Sequence, residues 1–134
     1  MYQKLIIALS LEHGFAAQAV DTARRLGGGT AEITALHVYE PPSGSVSTYL
    51  DEEVVQKAYD DARQLLTERC GNADDVTPVI IKGHSSRSIT EYAAEIGADA
   101  IIVGSHKPGL RDYFLGTTAA RIVRHASCAV VVLR

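Results

Sequence analysis

The residues of this sequence best suited to chemistry run from Gly104 to Thr118, Gly-Ser-His-Lys-Pro-Gly-Leu-Arg-Asp-Tyr-Phe-Leu-Gly-Thr-Thr, between the apolar run Ala100-Ile101-Ile102-Val103 and a helical pattern starting at Ala119. A buried strand, a loop carrying three glycines and a helix that opens on two hydroxyl residues present backbone N–H groups to an anion. The chemistry expected is phosphate binding. Gly104 and Gly109 supply the turn, and Gly116, Thr117 and Thr118 open the helix onto the ligand. Thr117 could equally be an ordinary helix cap, which uses the same free N–H groups. Lys107 and Arg111 either add charge to the phosphates or form a solvated basic loop. His106 lines the pocket, and no Ser or Cys nucleophile has a visible base partner around it.

Two better-known phosphate sites do not fit. A dinucleotide fingerprint needs GxGxxG after the first strand, but Leu9-Ser10-Leu11-Glu12-His13 contains no glycine, so Glu40 at the end of the second strand is expected to cap a solvated strand end. A P-loop needs a lysine directly after its last glycine, and Gly116 is followed by Thr117.

These residues must be positioned by a regular scaffold. Lys4 to Leu9 is a continuous apolar run too short for a helix, the pattern of a strand buried on both faces. Phe15, Ala16, Ala19, Val20, Ala23 and Leu26 then recur at helical spacing until Gly27-Gly28-Gly29 stops the helix. Ile33 to Val38 forms a second strand, ending at Tyr39-Glu40 and followed by a Pro/Ser/Gly loop. From Asp51 to about Cys70 a long helix is predicted, with Val54, Val55, Ala58, Ala62, Leu65 and Leu66 on its apolar face. Val76 to Ile81 is a third strand, placed at an edge by Pro78, which has no N–H for a ladder. Ser88 and Glu91 have capping-box spacing ahead of a helix that uses Ile89, Tyr92, Ala93 and Ile96 and ends at Gly97. A fourth strand from Ala100 to Val103, a last helix formed by Ala119, Ile122, Val123 and Ala126 with Arg121, Arg124 and His125 toward its negative end, and a final strand from Ala129 to Leu133 complete the chain.

Strict alternation with short connections predicts an α/β fold: a five-stranded parallel sheet with helices on both faces, Rossmann-like, in strand order 3-2-1-4-5. In such a sheet the ligand sits outside the carboxyl ends of the strands where the winding reverses, here between strands one and four. Ala8, Leu9 and Ser10 on one side and Val103 and Gly104 on the other therefore belong to the candidate site.

At 134 residues the chain is expected to form one domain, residues 1–134, burying roughly two-thirds of its unfolded surface. Composition is ordinary for a globular protein, and no apolar run approaches the roughly 18 residues of a membrane span. Met1-Tyr2-Gln3 runs directly into the first strand, leaving no room for a signal peptide, so a cytoplasmic location is expected. A net charge of -3 argues against a nucleic-acid binder. Cys70 and Cys128 lack metal-ligand spacing and are read as small half-buried residues.

Gly104, Gly116 and Thr117, in a pattern of the form G-x2-G-x9-G-[S/T], together with Leu36-His37-Val38 and the ending Val-Arg-His-Ala-Ser-Cys-Ala-Val-Val-Val-Leu-Arg, resemble the nucleotide-binding branch of the universal stress protein family over nearly the whole chain. The resemblance implies an ATP-binding sensor or regulator of stress response, with adenine against Ala8, Val38 and Val103 and its edge read by the Val38 backbone. It also implies a homodimer paired along Ala129, Val130, Val131, Val132 and Leu133, acting on an unknown protein partner. Two departures stand out. Lys107 occupies the motif's middle glycine, with the interval to Gly116 one residue shorter, and Ser10 stands where the family usually has an acidic residue. A hydroxyl can bond a ribose but is a poor ligand for a hard cation, so Mg2+ would ride on the phosphates. A slow ATPase or autophosphorylating switch, and an interaction module that binds no nucleotide, remain alternatives.

Overall fold

The computed structural model describes residues 2–11, 15–40, 52–105 and 115–134. Nine elements alternate along them: β1 (Lys4–Ala8), α1 (Ala16–Gly27), β2 (Glu32–Tyr39), α2 (Glu52–Arg69), β3 (Val76–Lys82), α3 (Ser85–Ile96), β4 (Ala100–Gly104), α4 (Thr117–His125) and β5 (Ala129–Leu133). The strands form one parallel sheet in the order β3-β2-β1-β4-β5, as the alternating pattern predicts. Ala8 lies between Leu36 of β2 and Val103 of β4, so the ends of β1 and β4 are level where the winding reverses.

The central strands read as unbroken apolar runs because both of their faces are covered. Leu5, Ile7 and Leu9 point into a core beneath α1 and α2, while Ile6 and Ala8 point into a second core beneath α3 and α4. Ile6, Ile7, Ile101 and Ile102 are fully buried. Pro78 sits opposite Ala35 on β3, an edge strand, where its missing N–H costs no ladder bond on the open side. Gly28 and Gly97 end α1 and α3 in left-handed conformations, which glycine adopts without a Cβ penalty.

Three local expectations are corrected. Helix α3 starts at Ser85, so Ser88 lies inside it, its N–H on the His84 carbonyl, and Glu91 pairs with Arg87 instead of closing a capping box. The inner face of α2 runs through Val55, Tyr59, Ala62 and Leu66; Val54 and Ala58 face outward. The Tyr59 hydroxyl donates to the Ile80 carbonyl at 2.5 Å, which anchors α2 over the edge of the sheet. Finally, α4 begins two residues before Ala119 and is capped by Gly116; Thr117 is its first helical residue rather than its cap.

Candidate functional site

The carboxyl ends of β1 and β4 open into a cleft of about 730 Å3. On the β1 side the ladder continues one residue past the strand, with the Leu9 N–H on the Leu36 carbonyl at 2.9 Å. The Leu9 carbonyl lies 2.9 Å from Nδ1 of His37. A carbonyl can only accept, so that nitrogen carries the proton. The mid-strand histidine is a hydrogen-bonded structural residue, and it holds the turn through Ser10 and Leu11 that forms one lip of the cleft.

On the β4 side the chain leaves the sheet at Gly104, and the Ser105 N–H is held by the Leu133 carbonyl at 2.7 Å. The Ser105 carbonyl in turn accepts the Gly116 N–H. Residues 105 and 116, the two stems of the connection between β4 and α4, are thereby clamped together. Gly116 takes an extended conformation (φ -61°, ψ 158°) and its carbonyl receives the first helical bond, from Ala120 N at 2.8 Å. The amides of Thr117, Thr118 and Ala119 have no carbonyl partner within the helix. All three residues line the cleft, where the helix dipole adds a partial positive charge.

Helix α3, which starts at the same end of the sheet, is arranged differently. Oε1 of Glu40 accepts the Ser85 N–H at 3.0 Å, so a carboxylate from the end of β2 occupies the N-terminus of α3. Glu40 is therefore a helix cap, not merely a solvated strand end. The walls between the two helix starts are small and apolar: Ala8, Val38, Ile89 and Val103 are each buried and face the cleft.

Of the residues singled out in the sequence, Ala8, Leu9, Ser10, Val38, Val103, Gly104, Gly116, Thr117 and Thr118 all line this one cleft. His106, Lys107, Gly109 and Arg111 lie outside the described residues. Ala129 to Leu133 form β5, an edge strand on the far side of β4, with Ala129 exposed and the four residues after it half-buried. Among the described residues no three His, Cys, Asp or Glu side chains come together as a metal site.

Sequence reasoning missed Phe15, Tyr39, Ser85, Ile89 and Ser105 as cleft residues. Phe15 is the instructive one. It precedes α1, and its ring packs directly over Gly104, where a Cβ would stand 2.8 Å from the ring's Cε1. Gly104 is a glycine because an aromatic ring fills the space of its side chain. Only the pairing of the two in space reveals this.

A profile described as the universal stress protein family matches residues 1–134. The chain belongs to the universal stress protein family. Among its relatives, universal stress protein G of Shigella flexneri is 26% identical over 143 residues, with 100% of each chain covered. A universal stress protein solved in complex with cAMP superposes with a TM-score of 0.69 at 20% identity, covering 99% of this chain and 97% of that one. The universal stress protein from Archaeoglobus fulgidus in complex with dAMP gives a TM-score of 0.58 at 17% identity, over 99% and 98% of the chains. At such identities the structural likeness is one of fold, and the expected architecture of this universal stress protein is the one found.

Proposed function

We propose that this universal stress protein is a single-domain, cytoplasmic, homodimeric regulator whose cleft binds an adenine nucleotide, with ATP as the ligand. The observation that carries the proposal is the pairing of apolar walls at the ends of β1, β2 and β4 with the open first turn of α4. The apolar walls suit a base, the amides of Thr117, Thr118 and Ala119 suit phosphate, and a volume of about 730 Å3 is ample for both. Polarity supports one orientation. The Glu40 carboxylate at the start of α3 repels an anion, so the phosphates go to α4 and the base lies toward Val38. Two related proteins, solved with cAMP and with dAMP, carry adenine ligands on the same fold. Mg2+ travels on the phosphates, and Ser10 meets the sugar with its hydroxyl. Lys107 and Arg111 are assigned to the phosphate end with His106 and Gly109.

We assign the cleft to binding, with slow ATP hydrolysis or self-phosphorylation as the alternative reading. The test is to denature protein purified from cells, identify the small molecule released, and titrate refolded protein with ATP and GTP by calorimetry. Adenine nucleotide in the supernatant and ATP binding that exceeds GTP binding are expected. A carboxylate at the start of α4 competes for the same amides yet suits the helix dipole. Thr117→Asp is therefore expected to lose the nucleotide and keep its melting temperature. Absence of ATP binding both with and without magnesium would refute the assignment. Pairing along β5 is checked by light scattering, with Val131→Lys expected to give monomers.

A further inference from the structure

A second concavity of about 400 Å3 lies between α3 and α4, on the opposite side of α3 from the cleft wall made by Ser85 and Ile89. Its sides are His84, Ser86, Arg87 and Glu91 from the start of α3, and Arg121 and His125 from α4. The acid among them is already matched, with Glu91 Oε1 2.9 Å from Arg87 Nε. Thr90 also contributes, but its hydroxyl proton is committed to the Arg87 carbonyl at 3.0 Å.

Four described cations stand in ion pairs, Arg24 with Asp75, Arg25 with Asp21, Lys57 with Asp61 and Arg87 with Glu91, and Arg121 belongs to none of these pairs. Helix α4 reads Thr-Thr-Ala-Ala-Arg-Ile-Val-Arg-His and contains no acidic residue, and among the described residues Arg121 has no acidic partner. Arg124 and His125 stand in the last turn, where cations complement the helix dipole, but Arg121 precedes that turn. A chain with a net charge of -3 thus carries a groove into which a guanidinium, two imidazoles and a serine hydroxyl converge from two helices.

We propose that this groove is a second anion site, separate from the nucleotide cleft, and that it takes a compact oxyanion of more than one charge, such as a phosphorylated small molecule. The forked donors of Arg121 match the planar edge of a phosphate or carboxylate group. The donors stand on opposite walls of one concavity of about 400 Å3, the size of a small-molecule site.

The test titrates isotopically labelled protein with inorganic pyrophosphate and follows the backbone amides by NMR. Saturable shifts at Ser86, Arg87, Arg121 and His125, weakened by added salt, are expected. Loss of a hydrogen bond to a charged group should lower affinity about tenfold or more in Arg121→Glu. Arg121 is exposed, so the fold should persist; Arg121→Gln, which removes the fork without adding charge, is a second variant with the same expected direction. Shifts confined to Thr117–Ala119, or an affinity unchanged in both variants, would overturn the proposal. So would saturation of the groove by hexaglutamate but not by pyrophosphate, which would make it a protein-docking surface instead.

Discussion

Gly104→Ala isolates the contact that shapes the floor of the cleft. The new Cβ would stand 2.8 Å from Cε1, 3.0 Å from Cζ and 3.2 Å from Cδ1 of Phe15. Carbon atoms prefer separations of about 3.5–4.0 Å, so the ring must retreat by roughly half an ångström or more. Overpacking of this kind costs about 1–3 kcal/mol. Gly104 is not among the residues with positive φ, so alanine fits its backbone and recovers about 0.5–1 kcal/mol of chain entropy. The net expectation is destabilisation by about 0.5–2 kcal/mol. In a Phe15→Ala background the obstruction is gone, and the same substitution should become neutral or stabilising by up to about 1 kcal/mol. The double-mutant cycle, measured by urea unfolding at constant m-value, should therefore return a coupling of about 1–3 kcal/mol. Additive effects would show that the ring does not dictate the glycine.

Further outcomes follow from other contacts. Leu66→Ala should cost about 2–5 kcal/mol and Val54→Ala under about 0.5, because Leu66 is fully buried and Val54 is 55% exposed; equal losses would return Val54 to the inner face of α2. Asp99 accepts the N–H groups of Gln3 and Lys4 at 2.7 and 2.8 Å, and these bonds hold its carboxyl below the usual carboxylate range. Its contribution to stability is therefore complete above the unfolded-state value of about 3.9 and is lost as pH falls through the lower folded value. Asp99→Asn should flatten the acid limb of a stability-against-pH curve, and an unchanged slope would contradict the assignment. Burial raises both thiols, but Cys70 is buried and Cys128 only half so. A thiol reagent at mildly alkaline pH should modify Cys128 first, and simultaneous labelling would count against the packing of α2.

The architecture was legible because each of its determinants is local. Unbroken apolar runs mark the central strands, Pro78 marks an edge, and glycines mark the helix ends, all within a few residues of the feature they produce. The lining of the cleft was legible as far as strand ends and the start of α4 define it. What escaped depends on partners distant in sequence. Ser88 and Glu91 have good capping spacing, yet the N-terminus of α3 is decided by Glu40, 45 residues from the amide it caps. The inner face of α2 follows Tyr59, whose hydroxyl reaches β3, and helical periodicity alone cannot favour Tyr59 over Ala58. Phe15 and Gly104 explain one another only after α1 has been laid beside β4.

The difference between the two helix starts is what makes this fold directional. The helices all begin at the carboxyl end of the sheet, and α3 and α4 are the two whose first helical residues, Ser85 and Thr117, line the cleft with their positive ends. Were both open, a phosphate could settle at either and a nucleotide could lie in two orientations. Glu40 disfavours one of them by placing a carboxylate on the Ser85 amide, while Gly116 has no side chain to cap with and no described side chain caps the first turn of α4. Under the nucleotide proposal, Glu40→Gln should therefore weaken orientation more than affinity. The neutral amide can still accept the Ser85 N–H but no longer repels phosphate, so the variant should accept inorganic phosphate at the start of α3, read as a new shift at Ser85. If phosphate leaves Ser85 unperturbed in the variant, as expected for the parent protein, the carboxylate is not what sets the polarity of the cleft.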